Sequence, residues 1–153
     1  MGKTWSRKFE NVRVDQAQIY QGYRATCATV SAENGLELIV TQEMAFKAET
    51  FIPFLKQLKR LNPRPFALFM DQLNVHKGKE VVPWYEKLDI KPIYNVGYSP
   101  EFNPIEACFS QVKRLYNRER LNALANDRTW NQTAEIKIAF RQITRDLVRA
   151  CVR

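Results

Sequence analysis

The chain has 153 residues, 45% of them hydrophobic, with only 5 glycines and 7 prolines. That is the size and make-up of one globular domain with a buried core, which excludes a disordered or low-complexity protein. No apolar stretch approaches the ~20 residues that a spanning helix requires, so a soluble protein with no membrane partner is expected. The net charge of +8 is uneven: residues 1–106 carry 14 basic and 12 acidic side chains, and residues 107–153 carry 10 and 4. The basic C-terminal third either suits a polyanion such as nucleic acid or is a solvated face.

Cys27, Cys108 and Cys151 are odd in number and widely spaced, as expected of reduced core thiols in a reducing compartment. Gly2 and Ser6 match a loose myristoylation pattern that arises often by chance. No apolar core of a secretory signal is present, and Glu10 argues against a mitochondrial leader. The expected location is the nucleus of a eukaryote or the cytoplasm of a bacterium.

In chain order, Tyr23 to Val30 reads as a strand, Glu33-Asn34-Gly35 as a hairpin turn and Leu36 to Val40 as the returning strand. A helix begins near Ala48, with Pro53 close to its first turn and Phe51, Phe54, Leu55 and Leu58 on its apolar side. Asn62 to Pro65 breaks it. Phe66 to Met70 is continuously apolar, as expected of a strand buried on both faces, and it ends at Asp71. A helix over Lys79 to Leu88, a strand over Ile90 to Val96 and a loop over Gly97 to Phe102 follow. Asn103 opens a helix with Pro104 first and Ile105, Phe109, Val112 and Tyr116 inward. After a polar stretch, Leu121 to Gln132, one last helix from about Thr133 buries Ile136, Phe140, Ile143 and Leu147. It would line up Lys137, Arg141, Arg145 and Arg149 at four-residue spacing. The order predicts an α/β fold: a mixed sheet with helices on both faces and ligands beyond the strand ends, where Asp71 falls.

Asp71 after an unbroken apolar run either binds a metal or is satisfied by loop amides, because an unpaired buried charge is costly. Glu106 stands at the third helical position after Asn103, which also reads as a capping box. Such an acid additionally faces whatever precedes the helix. His76 is the only histidine and could bind phosphate, orient a substrate, tune the site or be an ordinary loop residue. Lys77, Lys79, Lys113 and Arg114 could contact phosphates or simply be exposed. With one histidine and no Cys/His cluster, zinc is disfavoured; the absence of a glycine-rich phosphate loop disfavours nucleotide triphosphatase chemistry.

Two segments resemble the catalytic domain of mariner-like and bacterial insertion-sequence transposases of the DDE superfamily. Asp71-Gln-Leu-Asn-Val-His76 is similar to the family's Asp-Asn-Ala-x-x-His motif, departing at Gln72 and Leu73. Ser99-Pro-Glu-Phe-Asn-Pro-Ile-Glu106 carries the family's second motif intact, with the expected basic position at Lys113. The 34 residues between the acids (72–105) fit as well, and the resemblance covers residues 5 to 120. It implies a ribonuclease-H-like core over 1–120, a basic helical extension over 121–153, and divalent-metal-dependent DNA cleavage and strand transfer. Asp71 and Glu106 would be catalytic acids and ligands for two Mg2+ or Mn2+ ions. His76, Lys113, Arg114, Arg141 and Arg145 would contact DNA.

The family's first aspartate ends the central strand well upstream of a tryptophan that Trp5 resembles, and almost nothing precedes Trp5. Either Val12-Arg-Val-Asp15 forms that strand, or another chain or upstream sequence completes the sheet in a homodimer or larger assembly. The expectation is a truncated transposase of impaired or no autonomous activity: a decayed copy, a fragment or a domesticated protein. The alternative is a non-catalytic nucleic-acid-binding or structural subunit.

Overall fold

The computed structural model describes residues 22–97 and 103–151. Trp5, Asp15 and the segment Tyr98 to Phe102 lie outside the described residues. The elements are β1 (Ala25–Ser31), β2 (Gly35–Gln42), α1 (Ala48–Leu61), β3 (Phe66–Met70), α2 (Val82–Lys87), β4 (Ile90–Tyr94), α3 (Pro104–Ala125), α4 (Gln132–Phe140) and α5 (Arg145–Cys151).

β1 and β2 pair antiparallel, with Cys27 opposite Val40 and Ala28 opposite Ile39. The hairpin turn falls where expected, with Ser31 pairing with Gly35, but of Asn34 and Gly35 only Gly35 takes positive φ, +79°. Ser31 and Asn34 side chains bind Glu37 Oε1 at 2.6 and 2.9 Å and close the turn. A bulge follows, since Thr29 pairs with Leu38 and Val30 with Leu36. It skips Glu37, so Leu36 and Leu38, two apart, serve opposite faces of the sheet. Leu38, Cys27 and Val40 meet α1, whereas Leu36, Ala28, Val30 and Ile39 meet the layer of α3, α4 and α5.

β3 and β4 pair parallel, Phe66 opposite Ile90 through Met70 opposite Tyr94, with α2 on the crossover. Phe66, Leu68, Met70, Ile90 and Tyr94 pack with Phe51, Phe54, Leu55 and Leu58 of α1. The other face is open: Phe69 and Ile93, opposite each other, are each 41% exposed. The expectation that β3 is buried on both faces is therefore corrected, because among the described residues no helix lies over Phe69 and Ile93. Among the described residues β1 and β3 are not hydrogen-bonded to each other, so the strands form two separate pairs.

Two further expectations change. The polar stretch from Leu121 is helical to Ala125, part of a 22-residue α3 anchored by Cys108, Val112 and Ala123. The single last helix is two, α4 and α5, broken over residues 141–144. Ile143 is the cause: its side chain is buried, and its carbonyl accepts from Leu36 N–H at 3.4 Å across the hairpin. Thr144 Oγ1 then accepts from Leu147 N–H at 3.3 Å and starts α5. The break destroys the cationic stripe, and Arg149 Nε instead donates to the Ala32 carbonyl at 2.8 Å.

Candidate active site

Asp71 leaves the end of β3 with its side chain 46% exposed. Its Oδ1 accepts from the Leu73 amide at 3.2 Å, an Asx-type turn, and lies 2.8 Å from His76 Nδ1. A carboxylate only accepts, so Nδ1 carries the proton in this contact. Oδ2 receives no hydrogen bond from the described residues.

The loop holding Asp71 is tied down from several sides. Tyr85 of α2 and Tyr94 of β4 both donate to the His76 carbonyl, at 2.9 and 3.2 Å. Burial, and after it the neighbouring Tyr94, pushes the Tyr85 phenol well above its ordinary value, which keeps it a neutral donor. Gln72, where the sequence departs from the motif, donates to the Asn95 carbonyl at 2.8 Å and accepts from Lys77 Nζ at 3.1 Å. It thereby ties the loop to the end of β4. Tyr85, Tyr94 and Asn95 carry no motif signal, since in sequence they read as ordinary core and strand-end residues.

Glu106 sits in the first turn of α3. Asn103 caps that helix, accepting from the Ile105 amide at 3.4 Å. The expected capping box is corrected: the cap bond goes to Ile105 rather than to Glu106. The Glu106 carboxylate is solvent-exposed and unpaired among the described residues. Its position near the positive end of the helix favours an anionic side chain.

Asp71, His76, Asn103 and Glu106 line one cavity of about 200 Å³ between β1 and β3, together with Thr26 and Cys27 of β1. The structure thus brings together three residues chosen from two sequence motifs. Burial, and secondarily the Asp71 charge, pushes the Cys27 thiol from 9.0 up to about 12, so Cys27 stays a neutral wall of this cavity. The other candidates lie elsewhere. Lys113 and Arg114 are exposed on α3, with Arg114 donating to Gln111. Arg141 caps the end of α4, and Arg145 starts α5 beside Asp146 at 3.8 Å.

The donor set is hard oxygen, the kind that Mg2+ and Mn2+ select. Asp71 offers one unbonded oxygen and Glu106 two, which fits partial ligation of such an ion. Among the described residues no group of three or more His, Cys, Asp or Glu side chains is arranged to hold a metal. Among the described residues two acids line the cavity and a third does not. No helix of the described residues is long and apolar enough to cross a membrane.

The fold is that of a transposase catalytic domain. The Mos1 transposase catalytic domain solved with Raltegravir and Mg superposes with a TM-score of 0.65 at 15% identity, covering 83% of this chain and 67% of that one. The Mos1 mariner transposase catalytic domain gives 0.56 at 15% identity over 83% and 71%. The Mos1 Strand Transfer Complex gives 0.58 at 14% identity over 99% of this chain, which spans about half (48%) of that one. No curated protein sequence matches the chain. The model of the DDE superfamily endonucleases matches residues 1–126, and the chain belongs to that family.

Proposed function

We propose that this chain carries two of the three acids of a divalent-metal-dependent DNA cleavage and strand-transfer site, Asp71 and Glu106. The single observation that carries the reading is the shared cavity, onto which an exposed Glu106 and a half-anchored Asp71 both open. Mg2+ or Mn2+ held there would supply activation of water or of a DNA 3′ hydroxyl and stabilisation of the leaving oxygen. Asp71 presents Oδ2 while its Oδ1 is engaged, and Glu106 is presented rigidly by the start of a long helix. The basic side chains Lys113, Arg114, Arg141 and Arg145 serve DNA phosphates away from this cavity, as single contacts rather than one stripe.

The third acid comes from outside the described residues, 22–97 and 103–151. The cavity separates the edges of β1 and β3, and Thr29 Oγ1 on its β1 wall is buried without a hydrogen-bond partner. A strand entering between them parallel to β3 would end beside Asp71 and bring a carboxylate to it. Asp15 is one source; a strand of another chain or of upstream sequence is the other. A second reading, a nucleic-acid-binding subunit without catalysis, is favoured by the missing third acid among the described residues.

Nicking of supercoiled DNA by the full chain in Mn2+ separates these. Loss of nicking in both Asp71→Asn and Glu106→Gln is the expected result. If Asp15→Asn also abolishes it, Asp15 is the third acid. Salt-sensitive DNA binding with no metal-dependent nicking, even at high protein concentration, would replace the enzyme reading by the subunit reading.

A further inference from the structure

We propose that His76 is a positioning residue for Asp71 rather than a contact to DNA, an inference that rests on Asp71 being a metal ligand. The ring is buried to a degree that hides it from a nucleic acid, with its side chain 13% exposed. It lies against Phe51 of α1, ring centres 4.8 Å apart at 38°. Its Nδ1 faces two oxygens of one residue, Asp71 Oδ1 at 2.8 Å and the Asp71 carbonyl at 3.2 Å.

The Leu73 amide already holds Oδ1, but one bond leaves the carboxyl group free to swing about it. The imidazole supplies a second donor to the same oxygen from a different direction. Two donors on Oδ1 set the plane of the carboxylate and leave Oδ2 as the oxygen turned to a ligand. Hydrogen-bonded carboxylates of this kind hold metal ions better because the ligand is already oriented. The imidazole is fixed in turn by Phe51 on its face and by the two tyrosine hydroxyls on its own carbonyl. Packing of α1 against this loop is thereby transmitted to the orientation of one oxygen atom.

The test is Mn2+ affinity of the full chain, read from the free-ion electron paramagnetic resonance signal, with thermal unfolding run in parallel. Asp71→Asn is the control for the site itself. His76→Phe keeps an aromatic ring against Phe51 but has no donor. His76→Asn places an amide N–H close to where Nδ1 stands. Loss of an outer-shell partner weakens metal binding ~10- to 100-fold. The expected result is a Kd about tenfold higher in His76→Phe and largely restored in His76→Asn, with similar unfolding temperatures.

An affinity unchanged in His76→Phe, while Asp71→Asn abolishes binding, overturns the positioning role and leaves the metal site standing. Equal losses in His76→Phe and His76→Asn, in step with their unfolding temperatures, mark a merely structural histidine. No change in Asp71→Asn removes the metal-ligand reading, and the proposal with it. In the metal-free protein, the Nδ1-bound proton should give a slowly exchanging NMR signal that disappears in Asp71→Ala.

Discussion

Replacing Gly35 with alanine sets a methyl group against the backbone of the turn between α4 and α5. An ideal Cβ there would lie 2.7 Å from Arg145 N, 2.8 Å from the Thr144 carbonyl carbon and 3.0 Å from the Ile143 oxygen. All three are main-chain atoms, so relief requires the hairpin and the turn to separate. That movement would stretch the Leu36 N–H to Ile143 carbonyl bond, already 3.4 Å. Two costs combine: about 1–2 kcal/mol for an L-residue at φ +79°, and about 1–3 kcal/mol for overpacking. A loss of about 3 kcal/mol is expected, roughly 10 °C in Tm for a domain of this size. Gly22 provides the comparison: its φ is also positive, +75°, but the nearest atom to an added Cβ is the flexible Arg24 Nη1 at 3.7 Å. Gly22→Ala therefore carries only the backbone strain, about 1–2 kcal/mol. Urea unfolding of both variants at equal m-value gives the difference directly. If Gly35→Ala costs no more than Gly22→Ala, the hairpin does not press on the α4–α5 turn, and the explanation of the helix break fails.

Stability should fall at alkaline pH through buried thiols. Cys27 is raised from 9.0 to about 12 and Cys108 from 9.0 to about 11, burial being the largest cause for each. Between pH 9 and these values the unfolded chain binds fewer protons than the folded one, so stability declines as pH rises; below pH 9 these groups contribute no slope. The urea midpoint measured from pH 7 to 10 should drop, and the drop should be shallower in Cys27→Ala; equal slopes would contradict the burial of Cys27. Asn103→Ala should cost about 1 kcal/mol by removing the cap on Ile105 N–H, and Asn103→Ser should recover most of it. Amide exchange in the first turn of α3 should quicken in the alanine variant alone, since the loss is local.

Much of the architecture was legible because it rests on short-range signals. The apolar run ending at Asp71, the Asn-Pro helix start before Glu106 and the helical spacing of Phe51, Phe54, Leu55 and Leu58 each report local geometry. The length of α3 and the break after Phe140 were not legible. In the first case a polar surface hid a helix anchored by Ala123; in the second, Leu36, over a hundred residues away in the chain, takes the Ile143 carbonyl. The Thr144 cap was the one local hint of that break.

For the site, the residue types in the two motifs determined its chemical character: carboxylates at the end of a strand and at the start of a helix, in a chain that belongs to the DDE superfamily. Only the tertiary structure decided what each residue faces. It turned His76 inward to Asp71, engaged one carboxylate oxygen and left the other open, and dispersed the arginines that helical spacing had aligned. The physical reason is that hydrogen bonds and packing between elements are set by distances in space, which spacing along one element does not contain.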